Sequence, residues 1–304
     1  MEIPKSEFEK VSAEEKQSEA ILRPNMSYWQ DVWRRLKLNK FAMAGFIFVI
    51  FITLLAIFGP MFSRYNYYTQ NLNMANLPPS SEHWFGTDKF GRDIFVRILY
   101  GARISLTIGY VASFLNIIIG ILYGGIAGYF GGKVDNIMMR IVDILYSVPM
   151  TIYVILFMVI FGAGLKSIII ALAVAFWLTM ARIVRGQIMS LKEQEFVLAA
   201  KTLGASSARI LLKHLIPNSM GPIIVTLTLS VPEAIFTESF LSFIGLGVSA
   251  PMASWGTLAS EALDGFQMYP LQLFFPSMAI CLTMLAFNLL GDGLRDSLDP
   301  KMKK

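Results

Sequence analysis

Residues 104–130 read ISLTIGYVASFLNIIIGILYGGIAGYF, a run without one charged side chain. A bilayer core is crossed by about 20 apolar helical residues. At about 1.5 Å per residue this run extends roughly 40 Å. A surface helix of that length in a soluble domain would carry a charged stripe. The stretch is therefore a membrane span, and it sets the expectation for its neighbours.

Five more runs have similar length and character: 41–62, 137–161, 167–185, 219–241 and 271–291. The composition agrees. Of the 304 residues, 55% are hydrophobic and only 15% charged, with a mean hydropathy of +0.57. Soluble domains carry about 25% charge, and a chain of this size has too little core to hide so much apolar surface. The fold class expected is all-α integral membrane with six transmembrane helices.

Orientation follows the distribution of Lys and Arg. With the N-terminus inside, 20 of the 26 basic residues fall on inner segments. Both termini are thus expected in the cytoplasm, and the excess of positive charge serves the membrane, not nucleic acid. The domains expected are a cytoplasmic leader at 1–40, a first span at 41–62 and an extracytoplasmic loop at 63–103. A five-helix core follows at 104–291, with a cytoplasmic loop at 186–218, and then a tail at 292–304. Within the leader, Tyr28–Leu38 reads as an amphipathic interfacial helix anchored by Trp29 and Trp33. The leader is too long and too acidic for a signal peptide, so the first span is expected to be retained.

Several chemistries lack their residues. No G-x-x-x-x-G-K-[ST] loop is present to cradle phosphates, and no G-x-S-x-G elbow. His83 and His214 are the two histidines, so no H-E-x-x-H zinc site exists. Cys281 is the single cysteine and sits in an apolar run as a small packing residue. No catalytic residue, metal site or cofactor is expected on this chain.

The loop at 186–218 is unusually regular for a connection. One helical pattern covers 193–203, with Glu193 and Glu195 in its first turn, where the helix dipole favours acids. A second covers about 206–215, with Ser206 placed to cap it and Pro217 to stop it. Gly204 sits where a helix closes in a left-handed residue. Phe196, Ala199, Ala200 and Leu203 recur at helical spacing as a small-residue face. Periodicity alone supports docking onto a partner and packing on the bundle equally.

The segment resembles the E-A-A-x-x-x-G loop of ABC-importer permeases. Ala199, Ala200 and Gly204 match, and Leu198 replaces the namesake Glu. That departure fits the oligopeptide, dipeptide and nickel branch, as do Phe196-Val197, Gly204-Ala205-Ser206, His214 and Pro217-Asn218. Phe85-Gly-Thr-Asp88 with Gly91-Arg-Asp93 resembles that branch's outer-loop signature. Tyr100–Leu106, Gly128–Gly132, Glu238–Gly247, Trp255-Gly256 and Gly291–Pro300 follow in order. The resemblance covers about residues 28–301 and is nearest to the C-type permease subunit of oligopeptide importers.

The resemblance implies a type I importer permease in a bacterial cytoplasmic (inner) membrane. Its implied partners are a second, B-type permease, two cytoplasmic ATPase subunits carrying ATP and Mg, and an extracytoplasmic oligopeptide-binding protein. Cargo would be a peptide, with dipeptide or nickel as the alternatives. An ATP-independent channel or scaffold is the rival of another class. The ATPase-coupling loop would comprise Glu195, Phe196, Ala199, Ala200, Lys201, Gly204, Ala205 and Ser206, with Glu195 and Lys201 as rim charges.

Polar residues inside spans carry function by default. Glu233, Glu238 and Asn288 are candidates for the pathway or a gate, with helix packing as the competing role. Asn116 belongs to the same class, and Asp143 is expected to pair with Arg140 or Arg182. Asp88, Arg92 and Asp93 either face the binding protein or lock their own loop. Gly86 and Gly91 are expected turn residues. Gly120, Gly124 and Gly128 form a small-residue ladder for close packing, within the chain or against a partner. Pro232 and Pro276 are expected to kink their spans.

Overall fold

The computed structural model describes residues 27–299; the expectations for 1–26 and 300–304 lie outside the described residues. Among the described residues, all regular structure is helical apart from one isolated bridge between Thr87 and Asp93. The helices are α1 (Tyr28–Leu38), α2 (Lys40–Phe58), α3 (Ile94–Phe130), α4 (Gly132–Tyr146) and α5 (Met150–Phe161). They continue with α6 (Leu165–Leu191), α7 (Glu195–Thr202), α8 (Met220–Phe243), α9 (Trp255–Ala262) and α10 (Pro270–Leu298).

Among the described residues, five segments are long and apolar enough to cross a membrane: Lys40–Met61, α3, α6, α8 and α10. The expected third span is not one straight helix. It is the pair α4 and α5, bent by 82°. Pro149 causes the break, because it restricts Val148 and cannot donate a helical hydrogen bond. Tyr153 stitches across the bend, its hydroxyl donating to the Leu145 carbonyl at 2.7 Å. Counting the pair as one span gives six.

α1 has the bounds expected from its pattern. Val32 and Leu36 are buried against α8 and α10, while Trp29 and Trp33 are exposed. The arrangement suits a helix lying at the interface with anchors outward.

α3 and α6 form the frame. They run parallel and meet along the glycine ladder of α3, within this chain. Built side chains at Gly120 and Gly124 would collide with Met180 and with the Ala181 carbonyl, and one at Gly128 with the Arg185 carbonyl. Only glycine permits this approach. The same helix pair is closed at its far end by ions. Arg185 holds Asp135 of α4 through two 2.5 Å bonds, and Lys192 donates to the Gly128 carbonyl at 3.0 Å. The latter satisfies an orphan carbonyl at the end of α3. Arg182 pairs with Asp143 at 2.8 Å, one of the two partners anticipated.

The parallel pairing fixes the sidedness of the molecule. The 186–218 loop follows the C-terminal end of α6, beside the C-terminal end of α3. The 63–93 loop precedes the N-terminal end of α3. The two loops therefore lie at opposite ends of the bundle.

α9 was not anticipated. It is a short helix tucked between α3, α8 and α10, and its Trp255 is fully buried. The indole nitrogen donates to the Ile98 carbonyl at 3.1 Å. Gly101 is needed beside it, since a side chain there would press on the Trp255 ring and backbone.

Candidate functional site

The 186–218 loop folds as a two-part knob. α7 starts at Glu195 and ends in a left-handed Gly204 with φ +79°. The Ala205 amide donates to the Ala200 carbonyl at 3.0 Å and the Gly204 amide to the Lys201 carbonyl at 2.9 Å. This paired closure is the Schellman arrangement that glycine favours. Ser206 then caps the next turn, accepting from the Arg209 amide at 3.4 Å.

The second half differs from the expected simple helix. An α turn (Ser207–Arg209) passes into a π segment (Ile210–Leu215) and then a closing turn (Ile216–Asn218). Pro217 does not stop the chain, which turns almost at once into α8 at Met220. The Asn218 side-chain amide donates to the His214 carbonyl at 2.6 Å, and the Ser219 hydroxyl to the Leu215 carbonyl at 2.8 Å.

The knob has two faces. Val197 is fully buried and packs with Ala200, Ala205, Ile210 and Leu215 against Val184 and Ile188 of α6. The other face is bare. Phe196 is 40% exposed, Leu198 66% and Leu203 88%, with Ala199 and Gly204 exposed among them. The anticipated face thus divides: Ala200 and Ala205 fasten the knob, whereas Phe196, Ala199, Leu203 and Gly204 remain open. Among the described residues, its neighbours Leu203 and Ala205 aside, nothing lies within 4 Å of a side chain built at Gly204. Glu195 and Lys201 are exposed at the first and last turns, and Ser206 is exposed at its cap.

The intramembrane candidates separate as well. Glu233 is exposed on α8, on the same bare side as Phe236 and Phe240. Asn288 is exposed on α10. Neither side chain has a partner among the described residues. Glu238 is different, being fully buried. It accepts from Ser242 at 2.7 Å and from Ser105 of α3 at 3.2 Å, and Ser105 in turn accepts from the Trp255 amide at 3.2 Å. Its carboxylate joins α8, α3 and α9, so it faces no pathway in this structure. Asn116 is buried with its Oδ1 unpartnered.

Asp88, Arg92 and Asp93 are all buried, at 8%, 7% and 5% exposure. Asp88 holds Arg92 and Arg97, each at 2.7 Å, and both arginines reach Glu261 of α9, at 2.7 and 2.8 Å. Asp93 caps α3 through the Val96 amide at 2.9 Å and binds His83 Nδ1 at 2.8 Å. The three charges lock the loop; they present no surface to a binding protein. Arg97 and Glu261 complete the lock and were missed, because 164 residues separate them. Gly86 and Gly91 are left-handed turns as expected, at φ +78° and +69°.

The comparisons with known proteins agree with this geometry. Residues 120–304 match the family model described as "Binding-protein-dependent transport system inner membrane component". The chain belongs to that family. Residues 27–79 also match the "N-terminal TM domain of oligopeptide transport permease C". The chain is 56% identical to the oligopeptide transport system permease protein OppC of Bacillus subtilis, over 99% of both chains. It is 52% identical to the dipeptide transport system permease protein DppC of the same organism, over all of this chain and 95% of that one. It is 44% identical to OppC of Escherichia coli, over 93% and 95%. Among solved structures, a methionine ABC transporter, MetNI, in an inward-facing conformation shares the fold, with a TM-score of 0.57 over 68% of this chain and 98% of that one, at 19% identity. The permease is thus a multi-pass membrane subunit of a bacterial ABC importer, and the channel or scaffold alternative is set aside.

Proposed function

We propose that this permease, paired with a second permease subunit, forms the translocation path of an oligopeptide importer driven by two separate ATPase subunits. The observation that carries the proposal is the knob at 186–218. It is held rigidly on one face and bare on the other, and its bare face is built from small and apolar residues that a partner's backbone can approach. The knob side is taken as cytoplasmic, as the basic residues favour. ATP and Mg belong to the ATPases; this chain contributes no covalent chemistry.

Closure of the ATPases would move the knob, and α6 and α8, to which it is joined, would follow. That is the two-state element alternating access requires. Glu233 and Asn288, unpartnered on open faces, then line the path or the seam with the second permease. Cargo arrives on an extracytoplasmic binding protein. Relatives named for oligopeptide and for dipeptide transport resemble this chain almost equally, so we assign the peptide class and place finer selection on the binding protein.

Affinity purification of the intact complex tests the assembly. The expected result is one B-type permease and two ATPase subunits per copy of this chain. Recovery of this chain alone, or without ATPases, would overturn the proposal.

A further inference from the structure

A cavity of about 640 Å³ opens at the end of the bundle opposite the knob. Its volume falls in the range of small-molecule sites, about 300–1,000 Å³. Its floor is apolar, from Leu55 at the end of α2 and Val96 and Leu99 at the start of α3. Its rim carries Arg64, Glu82 and Trp84 from the 63–93 loop.

Depth says what meets this cavity. The segment Lys40–Met61 has 22 residues, roughly 33 Å of helix, close to the ~30 Å hydrocarbon thickness. Gly59 therefore sits near the hydrocarbon boundary, with Leu55 about one helical turn inside it. Arg103 marks the same level, because its guanidinium caps the end of α2 through the Ala56 and Ile57 carbonyls, at 2.7 and 2.5 Å. Arginines and aromatics collect at this level.

The charges say what the occupant carries. Arg64 and Glu82 have no hydrogen-bond or ion-pair partner among the described residues. The other charged group on the lining, Asp93, is already engaged by His83 and the Val96 amide. The site thus offers one free cation and one free anion above an apolar floor. The Trp84 ring, tilted by 48° against Phe95 with centroids 4.9 Å apart, adds a face for a positive group.

We propose that this cavity binds a single zwitterionic phospholipid. Its phosphate is held by Arg64, its ammonium by Glu82 and Trp84, and its acyl chains lie over Leu55 and Leu99. The inference needs the membrane-spanning fold and is independent of what docks on the knob.

The test uses the intact importer in nanodiscs of equal phosphatidylethanolamine and phosphatidylglycerol, with bound lipid counted by native mass spectrometry. The expected result is preferential retention of the ethanolamine lipid. Arg64→Ala should reduce retention of both lipids about tenfold, the effect of one charge-assisted hydrogen bond. Glu82→Gln should keep lipid bound and abolish the headgroup preference. Both residues are exposed, so thermal stability should hold and serve as the folding control. Retention in the bulk ratio, or retention equal in all three proteins, would overturn the proposal. So would variants that weaken binding-protein docking while leaving bound lipid unchanged.

Discussion

Glu238 is a carboxylate inside a span, and its surroundings define its role. Two hydroxyls donate to it from different helices. Glu238→Gln keeps only one of the two acceptor oxygens, because Ser242 and Ser105 donate to different ones, so insertion should hold and thermal stability should fall less than in the alanine variant. Glu238→Ala strands both hydroxyls, at about 1–3 kcal/mol for each buried group left unsatisfied, and should lower the melting temperature of the purified complex. Equal melting temperatures for the Ala and Gln variants would contradict this latch. Asp88, Arg92, Arg97 and Glu261 form a second latch. Removing one member of a buried ion network costs about 3–5 kcal/mol. Arg97→Ala should therefore destabilise strongly, measured as lost yield and a lower melting temperature, while Glu261→Gln should be milder because Glu261 lies at the exposed edge of the network.

Individual turns were legible in the sequence where the controlling residues were local. Gly204 at a left-handed closure, Ser206 at a cap, and Gly86 and Gly91 at turns each follow from steric rules acting over a few positions. Whether Glu238 serves a pathway or helix packing was not legible, for the opposite reason. One partner, Ser242, lies a turn away on α8, but the other, Ser105, lies on α3, 133 residues distant, and hydropathy does not report which distant hydroxyl meets a carboxylate.

Among the elements, α3 and α6 depend on the glycine ladder. Gly124→Leu places a large side chain against the Ala181 carbonyl. Overpacking of this kind costs about 1–3 kcal/mol, and more where backbone must move. The variant should still insert, since its span becomes more apolar, yet should fail to hold the two helices together. Reduced melting temperature with unchanged membrane insertion is the expected outcome. Wild-type stability would show that the helices separate without consequence.

Spans were legible because about 20 apolar residues are hard to disguise. The bend between α4 and α5 was hidden, because periodicity is blind to direction: Pro149 marks a break but does not encode the 82° angle between two helices that both touch α6. α9 was hidden because its eight residues are too few to make a span. The face of α7 was half legible. Its helical repeat was visible, but the burial of Val197 decides which side turns inward.

At the scale of the whole molecule, the permease has a rigid frame, a latched end carrying α9, and a knob at the other end with one face free. Val197 and Ile210 of the knob pack on Val184 and Ile188 of α6, the contact through which the proposed coupling would reach the spans. The most direct measurement is the ATPase rate of the reconstituted complex, with and without cargo-loaded binding protein. The variants are Gly204→Asn, Gly204→Arg and Leu203→Arg. Asn tolerates the left-handed conformation, so Gly204→Asn should retain stimulated hydrolysis and uptake. The two arginine variants place a bulky cation on the bare face and should assemble in the membrane with stimulation and uptake abolished. Normal uptake by Gly204→Arg and Leu203→Arg would contradict the assignment of this loop as the coupling site.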